Sequence, residues 1–285
     1  MKGAAAGSPG GNSDKLALAP PMSDFPSGPT RSEIVRLLRA AGCVFADDEA
    51  RLLISTAQTK DDLAAMVERR ASGLPLEQVV GWAEFCGLRV AVEPGVFVPR
   101  RRTELLVREA VGIAVPEPVV VDLCCGSGAV GMALAAALNR IELYAVDIDA
   151  VAVRCARTNL APTGARVYLG DLFQPLPPDL RGRVDLLVAN APYVPTDALA
   201  MMPAEARVHE PRAALDGGED GLDVMRRLAT EARRWLTPGG HLLVETSEAQ
   251  APQAVDAIVR HGMVPRVASS DELDATVVIG THPDR

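Results

Sequence analysis

From Val119 onward, short runs of β-branched residues alternate with longer runs of helical period, and no other feature of the chain narrows its fold as much. Val119-Val120-Val121 reads as a buried strand, followed by a helix over 129–139, a strand over 142–146 and a helix over 150–160. Strands over 166–169 and 184–189, a helix over 221–235, a strand over 241–245, a helix over 249–261 and strands near 264–268 and 275–280 complete the series. Parallel neighbours cannot be joined by a tight turn, so strands separated by helices predict a parallel α/β sheet covered on both faces.

Before Val119 the pattern differs. Fourteen of the first thirty residues are Gly, Ser or Pro and only four are charged. Such a stretch cannot bury enough apolar surface to offset its ordering entropy, so residues 1–29 are expected to form a disordered extension, with Met22 as an alternative start. Thr30-Arg31-Ser32-Glu33 reads as a capping box, with Ile34, Leu37, Leu38 and Ala41 at helical spacing behind it. A second helix is expected after Asp47, carrying Leu52 and Leu53. A third starts at Thr59, aligns Leu63, Met66 and Val67, and stops at Gly73. These three form a small helical domain over 30–84; a β-hairpin and linker follow over 85–102, and the α/β domain spans 103–285. Within the linker, 89–92 and 96–98 flank Glu93-Pro94-Gly95, which predicts a hairpin turning at Pro-Gly.

Composition removes several function classes. Hydrophobic residues are 48% of the 285 and charged residues 23%, an ordinary globular balance. The longest nearly apolar run, 129–138, is about half the ~20 residues a bilayer span needs. The residues after Lys2 lack an apolar signal segment, and five cysteines without a Cys-x-x-Cys argue against disulfides or structural zinc, so a reducing cytoplasm is expected. There are 29 basic residues against 37 acidic ones, and 103–285 alone carries 16 against 25. A protein that grips nucleic acid shows the opposite balance, so direct nucleic-acid binding is not expected. The densest basic cluster, Arg100-Arg101-Arg102, reads as a solvated or salt-bridged turn.

The first strand runs into Asp122-Leu123-Cys124-Cys125-Gly126-Ser127-Gly128, a turn that opens a helix. Glycines let backbone approach a ligand there, and the helix start offers free N–H groups. The second strand ends at Asp147, 19 residues beyond Gly128, where a carboxylate can accept from both hydroxyls of a ribose. Gly126-Ser127-Gly128-Ala129-Val130-Gly131 also spells a dinucleotide fingerprint, which keeps an NAD oxidoreductase open, although neither a second substrate half nor a hydride-handling residue is visible. Under the alternative, the loop surrounds the amino-acid part of S-adenosylmethionine, Asp147 holds the ribose, and Gly170-Asp171-Leu172 lies beside the adenine.

The fourth strand favours the second reading. It ends in Asn190-Ala191-Pro192-Tyr193, which resembles the Asn-Pro-Pro-Tyr motif of methyltransferases that alkylate planar nitrogens. An amide nitrogen is a poor nucleophile because its lone pair is delocalised into the carbonyl. The Asn190 side-chain oxygen and the Ala191 main-chain carbonyl can accept its two hydrogens, orient it, and favour positive charge developing on it. Tyr193 offers a flat face for a planar group, and Pro192 stiffens the turn.

The chain as a whole resembles the protein-(glutamine-N5) methyltransferases, the family that modifies peptide-chain release factors. Phe97-Val98-Pro99-Arg100-Arg101-Arg102-Thr103-Glu104 is similar to the family's linker, Pro75 to Gly81 followed by Phe85 to its lead-in, and Glu210-Pro211-Arg212-Ala213-Ala214-Leu215 with Gly217, Gly218 and Gly221 to the loop after the motif. The resemblance covers about 30–282. It implies a seven-stranded class I S-adenosylmethionine-dependent methyltransferase domain, Rossmann-like, with its last strand reversed and a small N-terminal domain that positions a protein substrate. It implies S-adenosyl-L-methionine binding by Asp122, Cys124, Cys125, Gly126, Ser127, Gly128, Asp147, Asp171, Leu172 and Asn190, and glutamine binding by Asn190, Ala191, Pro192 and Tyr193. Four positions depart from the pattern: Ala191 replaces a proline, Cys124 a glycine, Leu172 an aromatic and Arg101 a proline, as in a paralogue of shifted specificity. An N6-adenine methyltransferase could use the same tetrapeptide, and a non-catalytic binding protein could share the fold. No histidine or cysteine spacing suggests a metal site.

Overall fold

The computed structural model describes residues 29–284. The expected extension therefore lies, except for Pro29, outside the described residues, as does Met22. The chain divides into two compact units, ending and beginning at Val67 and Glu68.

In the first unit, α1 (Arg31–Ala40) opens with the expected reciprocal capping box between Thr30 and Glu33. Its buried face is Ile34, Val35 and Leu38, whereas Leu37 is exposed, so the stripe is rotated from the expected one. α2 (Ala46–Thr56) buries Ala50 and Leu53. Arg39 reaches Asp47 at its start, where a negative charge also suits the helix dipole. α3 (Lys60–Ala71) crosses the boundary between the units; Leu63, Met66 and Val67 are buried as expected.

In the second unit, after the end of α3, comes α4 (Leu76–Val80), a short helix that the sequence reading did not include. The hairpin is real but misplaced: β1 (Trp82–Phe85) pairs antiparallel with β2 (Leu88–Ala91), so the turn is Cys86-Gly87 and not Pro94-Gly95. Cys86 and Gly87 both have positive φ, 49° and 72°, the geometry whose twist matches paired strands. Glu93-Pro94-Gly95 does turn, with Val96 N–H donating to Glu93, but a loop follows instead of a second strand.

α5 (Glu104–Ile113), also unforeseen, precedes the sheet and buries Leu105, Leu106, Val107 and Ala110. The alternating series then appears nearly as read: β3 (Val119–Leu123), α6 (Ala129–Ala137), β4 (Glu142–Asp147), α7 (Ala150–Leu160), β5 (Arg166–Leu169) and β6 (Val184–Ala189). After α8 (Ala204–His209) come α9 (Asp223–Trp235), β7 (Leu236–Thr246), α10 (Ala251–Arg260), β8 (Val264–Ser270) and β9 (Ala275–Thr281).

The seven strands lie in the order β5-β4-β3-β6-β7-β9-β8. All pairs from β5 to β7 are parallel, and β9 runs antiparallel to both its neighbours. Side-chain alternation splits the core in two. Val121, Leu187 and Val244 pack with α9 and α10 on one face, while Val120, Val188 and Leu243 pack with α5, α6 and α7 on the other. The strand order reverses at β3, between β4 and β6, and there the carboxyl ends of the parallel strands open a crevice. No helix among the described residues is long and apolar enough to cross a membrane.

Candidate active site

The crevice holds a cavity of about 310 Å³. Its first wall is the turn between β3 and α6. Cys125 N–H donates to the Val146 carbonyl at 3.1 Å, and Gly128 N–H closes the turn on Cys125 at 2.7 Å. Gly128, at φ 78°, packs so closely on α7 that a Cβ would stand 3.1 Å from Leu160. Cys124 occupies φ 58°, a left-handed conformation that a β-carbon makes costly. Asn159 on α7 buttresses this wall: its Nδ2 donates to the carbonyls of Ser127 (2.8 Å) and Ala91 (2.9 Å), tying the turn to the hairpin.

Two carboxylates serve this wall. Asp147, at the end of β4, accepts Gly126 N–H on one oxygen (2.8 Å) and Asp149 N–H on the other (2.9 Å). Those bonds aim the carboxylate into the cavity and leave each oxygen a further lone pair. Burial raises its pKa despite them. Asp122 is buried beneath the turn and accepts Gly131 N–H from the first turn of α6 at 2.9 Å. Desolvation, with Asp147 nearby, pushes it up to about 7. Burial, and after it the same two acids, raises the thiols of Cys124 and Cys125, so neither is an activated nucleophile.

The second wall follows β5 and β6. Leu172, buried, and Ile148, largely exposed, supply apolar surface, and Asp171 pairs with Arg227 at 2.6 Å, both in the cavity lining. Asn190 and Pro192 face the cavity, and Ala191 is buried. Asn190 Nδ2 donates to Thr103 Oγ1 at 3.1 Å, which leaves Asn190 Oδ1 free. The Tyr193 hydroxyl donates to Glu245 Oε1 at 3.1 Å, and its pKa rises to about 12 through burial and that carboxylate. The backbone of the tetrapeptide is fixed from behind. Gln250 Nε2 donates to the Tyr193 carbonyl at 2.9 Å, Val194 N–H to Leu215 at 3.0 Å and Gly217 N–H to Val194 at 2.9 Å. A Cβ at Gly221, φ 77°, would fall 2.2 Å from the Tyr193 carbonyl oxygen.

The mouth is built by segments distant in sequence. Phe97, Pro99 and Pro211 line it, and Glu210 joins them. The side chain of Glu210 is fully buried, receives Arg100 on both oxygens at 2.7 Å and takes Val98 N–H at 3.1 Å.

Ten of the thirteen residues singled out from the sequence thus line one cavity: Asp122, Cys124, Cys125, Gly126, Ser127, Asp147, Asp171, Leu172, Asn190 and Pro192. Gly128, Ala191 and Tyr193 are not in the lining, though each adjoins a residue that is. Sequence reasoning overlooked Thr103, which reads as a helix cap, and placed Glu245 at a strand end near the cofactor side without giving it a role. It also overlooked Asn159, whose only signal is a polar residue on the apolar face of α7. Among the described residues no cluster of His, Cys, Asp or Glu could hold a metal ion. The donor set fits S-adenosyl-L-methionine: a carboxylate with spare lone pairs for ribose hydroxyls, backbone folded close at 124–128, and apolar faces at Ile148 and Leu172 for a purine.

Comparison with known proteins agrees. The methyltransferase small domain model matches residues 87–219. The release factor glutamine methyltransferase of Geobacter sulfurreducens is 40% identical over 225 residues, 77% of this chain and 78% of that protein. That of Mycolicibacterium smegmatis is 38% identical over 231 residues, 79% and 82% of the two chains. A 4-amino-L-phenylalanine/4-methylamino-L-phenylalanine methyltransferase of Streptomyces pristinaespiralis is 39% identical over 186 residues, 63% of each. In fold alone the chain is similar to a methyltransferase from Pyrococcus furiosus, with a TM-score of 0.53 and 15% identity over 69% of this chain and 90% of that one. Site, fold and relatives converge, and the chain belongs to the release factor glutamine methyltransferase family of S-adenosylmethionine-dependent enzymes.

Proposed function

We propose that the enzyme methylates the side-chain amide nitrogen of a glutamine in a protein, and that a peptide-chain release factor is that protein. One observation carries the reading: Asn190 reaches the cavity with its Nδ2 already bonded to Thr103, so its free group is an acceptor oxygen. An acceptor oxygen suits an incoming N–H.

S-adenosyl-L-methionine, when bound, supplies a methyl group made electrophilic by the adjacent sulfonium. The 124–128 turn and Asp147 hold its amino-acid and ribose parts, with Asp122, Asp171 and Leu172 completing the pocket. Asn190 Oδ1 and the Ala191 carbonyl take the two hydrogens of the glutamine amide, and Tyr193 and Pro192 bound its plane. This arrangement contributes through orientation, and through two oxygens facing a nitrogen that becomes positive. The surplus proton leaves to solvent. The Ala191 departure preserves the main-chain carbonyl on which this role depends. The helical segment over 30–84 is assigned to positioning the protein substrate.

The Streptomyces pristinaespiralis relative, named for an arylamine, supports a second reading in which a small planar amine is the acceptor. The test is incubation with a bacterial release factor and S-adenosylmethionine labelled in the methyl group. Label on the release factor that vanishes with Asn190→Ala supports the proposal. Label on 4-amino-L-phenylalanine alone favours the second reading.

A further inference from the structure

We propose that Thr103 and Glu245 are positioning residues: through the Thr103 hydroxyl, Glu245 fixes which end of the Asn190 amide faces the methyl acceptor. The inference rests on the role given to Asn190 above and extends it to residues outside the motif.

An asparagine side chain has two ends of nearly equal size and opposite hydrogen-bonding sense. Turned the wrong way, Asn190 would set an NH2 against the acceptor's NH2, donor against donor. Thr103 alone cannot select the orientation, because a hydroxyl both donates and accepts. A carboxylate behind it can while ionised, a form that burial of Glu245 opposes and that hydrogen bonds from Thr103 and Tyr193 and the charge of Arg102 favour, because an ionised carboxylate only accepts.

Glu245 stands in that place. β6 and β7 pair with Ala189 opposite Val244, so Asn190, where the chain leaves the sheet, lies next to Glu245, which is still paired with Val277 of β9. Glu245 is 2% exposed, and its Oε1 is taken by the Tyr193 hydroxyl at 3.1 Å. Its Oε2 is buried without a hydrogen-bond partner, although Thr103 lies against the carboxylate. An unmatched buried oxygen is costly, and the Thr103 proton is the mobile donor beside it. Turning that proton to Glu245 leaves the Thr103 oxygen to accept Asn190 Nδ2, the 3.1 Å bond observed, and exposes Oδ1 to the cavity.

A second observation is independent. Thr103 occupies the N-cap position of α5 but makes no capping bond to its backbone. Its hydroxyl is instead committed sideways, to Asn190. Thr103 and Asn190 line the cavity whereas Glu245 does not, so Glu245 acts through Thr103 and, at the other end of the tetrapeptide, through Tyr193.

The test compares the full-length chain with T103V, which keeps shape and loses the hydroxyl, T103S, which keeps the hydroxyl, and E245Q. With a release factor as acceptor, kcat is expected to fall at least 30-fold in T103V and about 10-fold in E245Q. T103S should stay within threefold of wild type. The Asn190 side-chain amide is followed in parallel by 15N–1H NMR without any acceptor, its signal identified by its absence in N190A. T103V and E245Q are expected to move that signal and T103S to leave it in place. An Asn190 signal unmoved in T103V, or equal kcat in T103V and T103S, overturns this inference. A wild-type enzyme that leaves the release factor unmethylated while the signal moves as expected overturns the substrate assignment and not the relay.

Discussion

Asp122 carries the clearest electrostatic consequence at the scale of single residues. Its carboxyl titrates near 4 in an unfolded chain and at about 7 here, because burial outweighs the one backbone bond from Gly131. Between those pH values the folded state retains a proton that the unfolded state has lost. That contribution to stability is therefore full below about pH 4, declines as pH rises from there to about 7, and is lost above it. Urea midpoints of wild type and Asp122→Asn should lie closest near pH 4, with the wild type falling away as pH rises to about 7 and the gap constant beyond it; parallel midpoints would refute the assignment. Asn190→Ala removes an acceptor aimed at developing charge, and a loss of about 10²–10³ in kcat is expected from radiolabel assays. The motif residues were legible because glycines, a strand-end acid and an Asn-x-Pro-Tyr turn have chemistry that depends on local spacing. Thr103, Asn159 and Glu245 were not, since each acts on a residue more than thirty positions away in sequence.

Elements explain why distant motifs recur together. The Phe97–Arg100 linker and the loop starting at Glu210 meet through one buried carboxylate, so both are parts of the cavity mouth. Glu210→Ala strands the Arg100 guanidinium and the Val98 N–H. A loss of about 2–4 kcal/mol is expected in denaturant unfolding, less than for a fully buried pair because Arg100 is partly solvated. Gly221 is a sharper probe of the catalytic turn, because alanine there collides with the Tyr193 carbonyl and must shift it. Gly221→Ala should lower kcat at least tenfold and depress the melting temperature, whereas Gly182→Ala, with open space around its Cβ, should leave kcat unchanged. The alternating strands and helices from Val119 on were readable in type and order because buried parallel strands are continuous apolar runs, although β7 starts five residues before the expected His241. The hairpin was not, because Pro-Gly is the stronger local turn signal and Cys86-Gly87 depends on pairing between β1 and β2. α4 and α8, of five and six residues, are too short for periodicity to register.

At the scale of the whole molecule the surplus of acid, 37 residues against 29, favours a protein acceptor over a polyanionic one. A protein acceptor needs no phosphate-neutralising face, so methylation of a release factor should be unaffected by excess transfer RNA or duplex DNA. Inhibition that disappears at high salt would reveal a nucleic-acid surface and reopen the adenine reading. The central claim is tested most directly by mass spectrometry of a bacterial release factor incubated with the enzyme and S-adenosylmethionine. A single added methyl, located by fragmentation on the side-chain amide nitrogen of one glutamine and absent with Asn190→Ala, is the predicted result. An unmodified release factor, or a methyl on any other atom, would contradict the account.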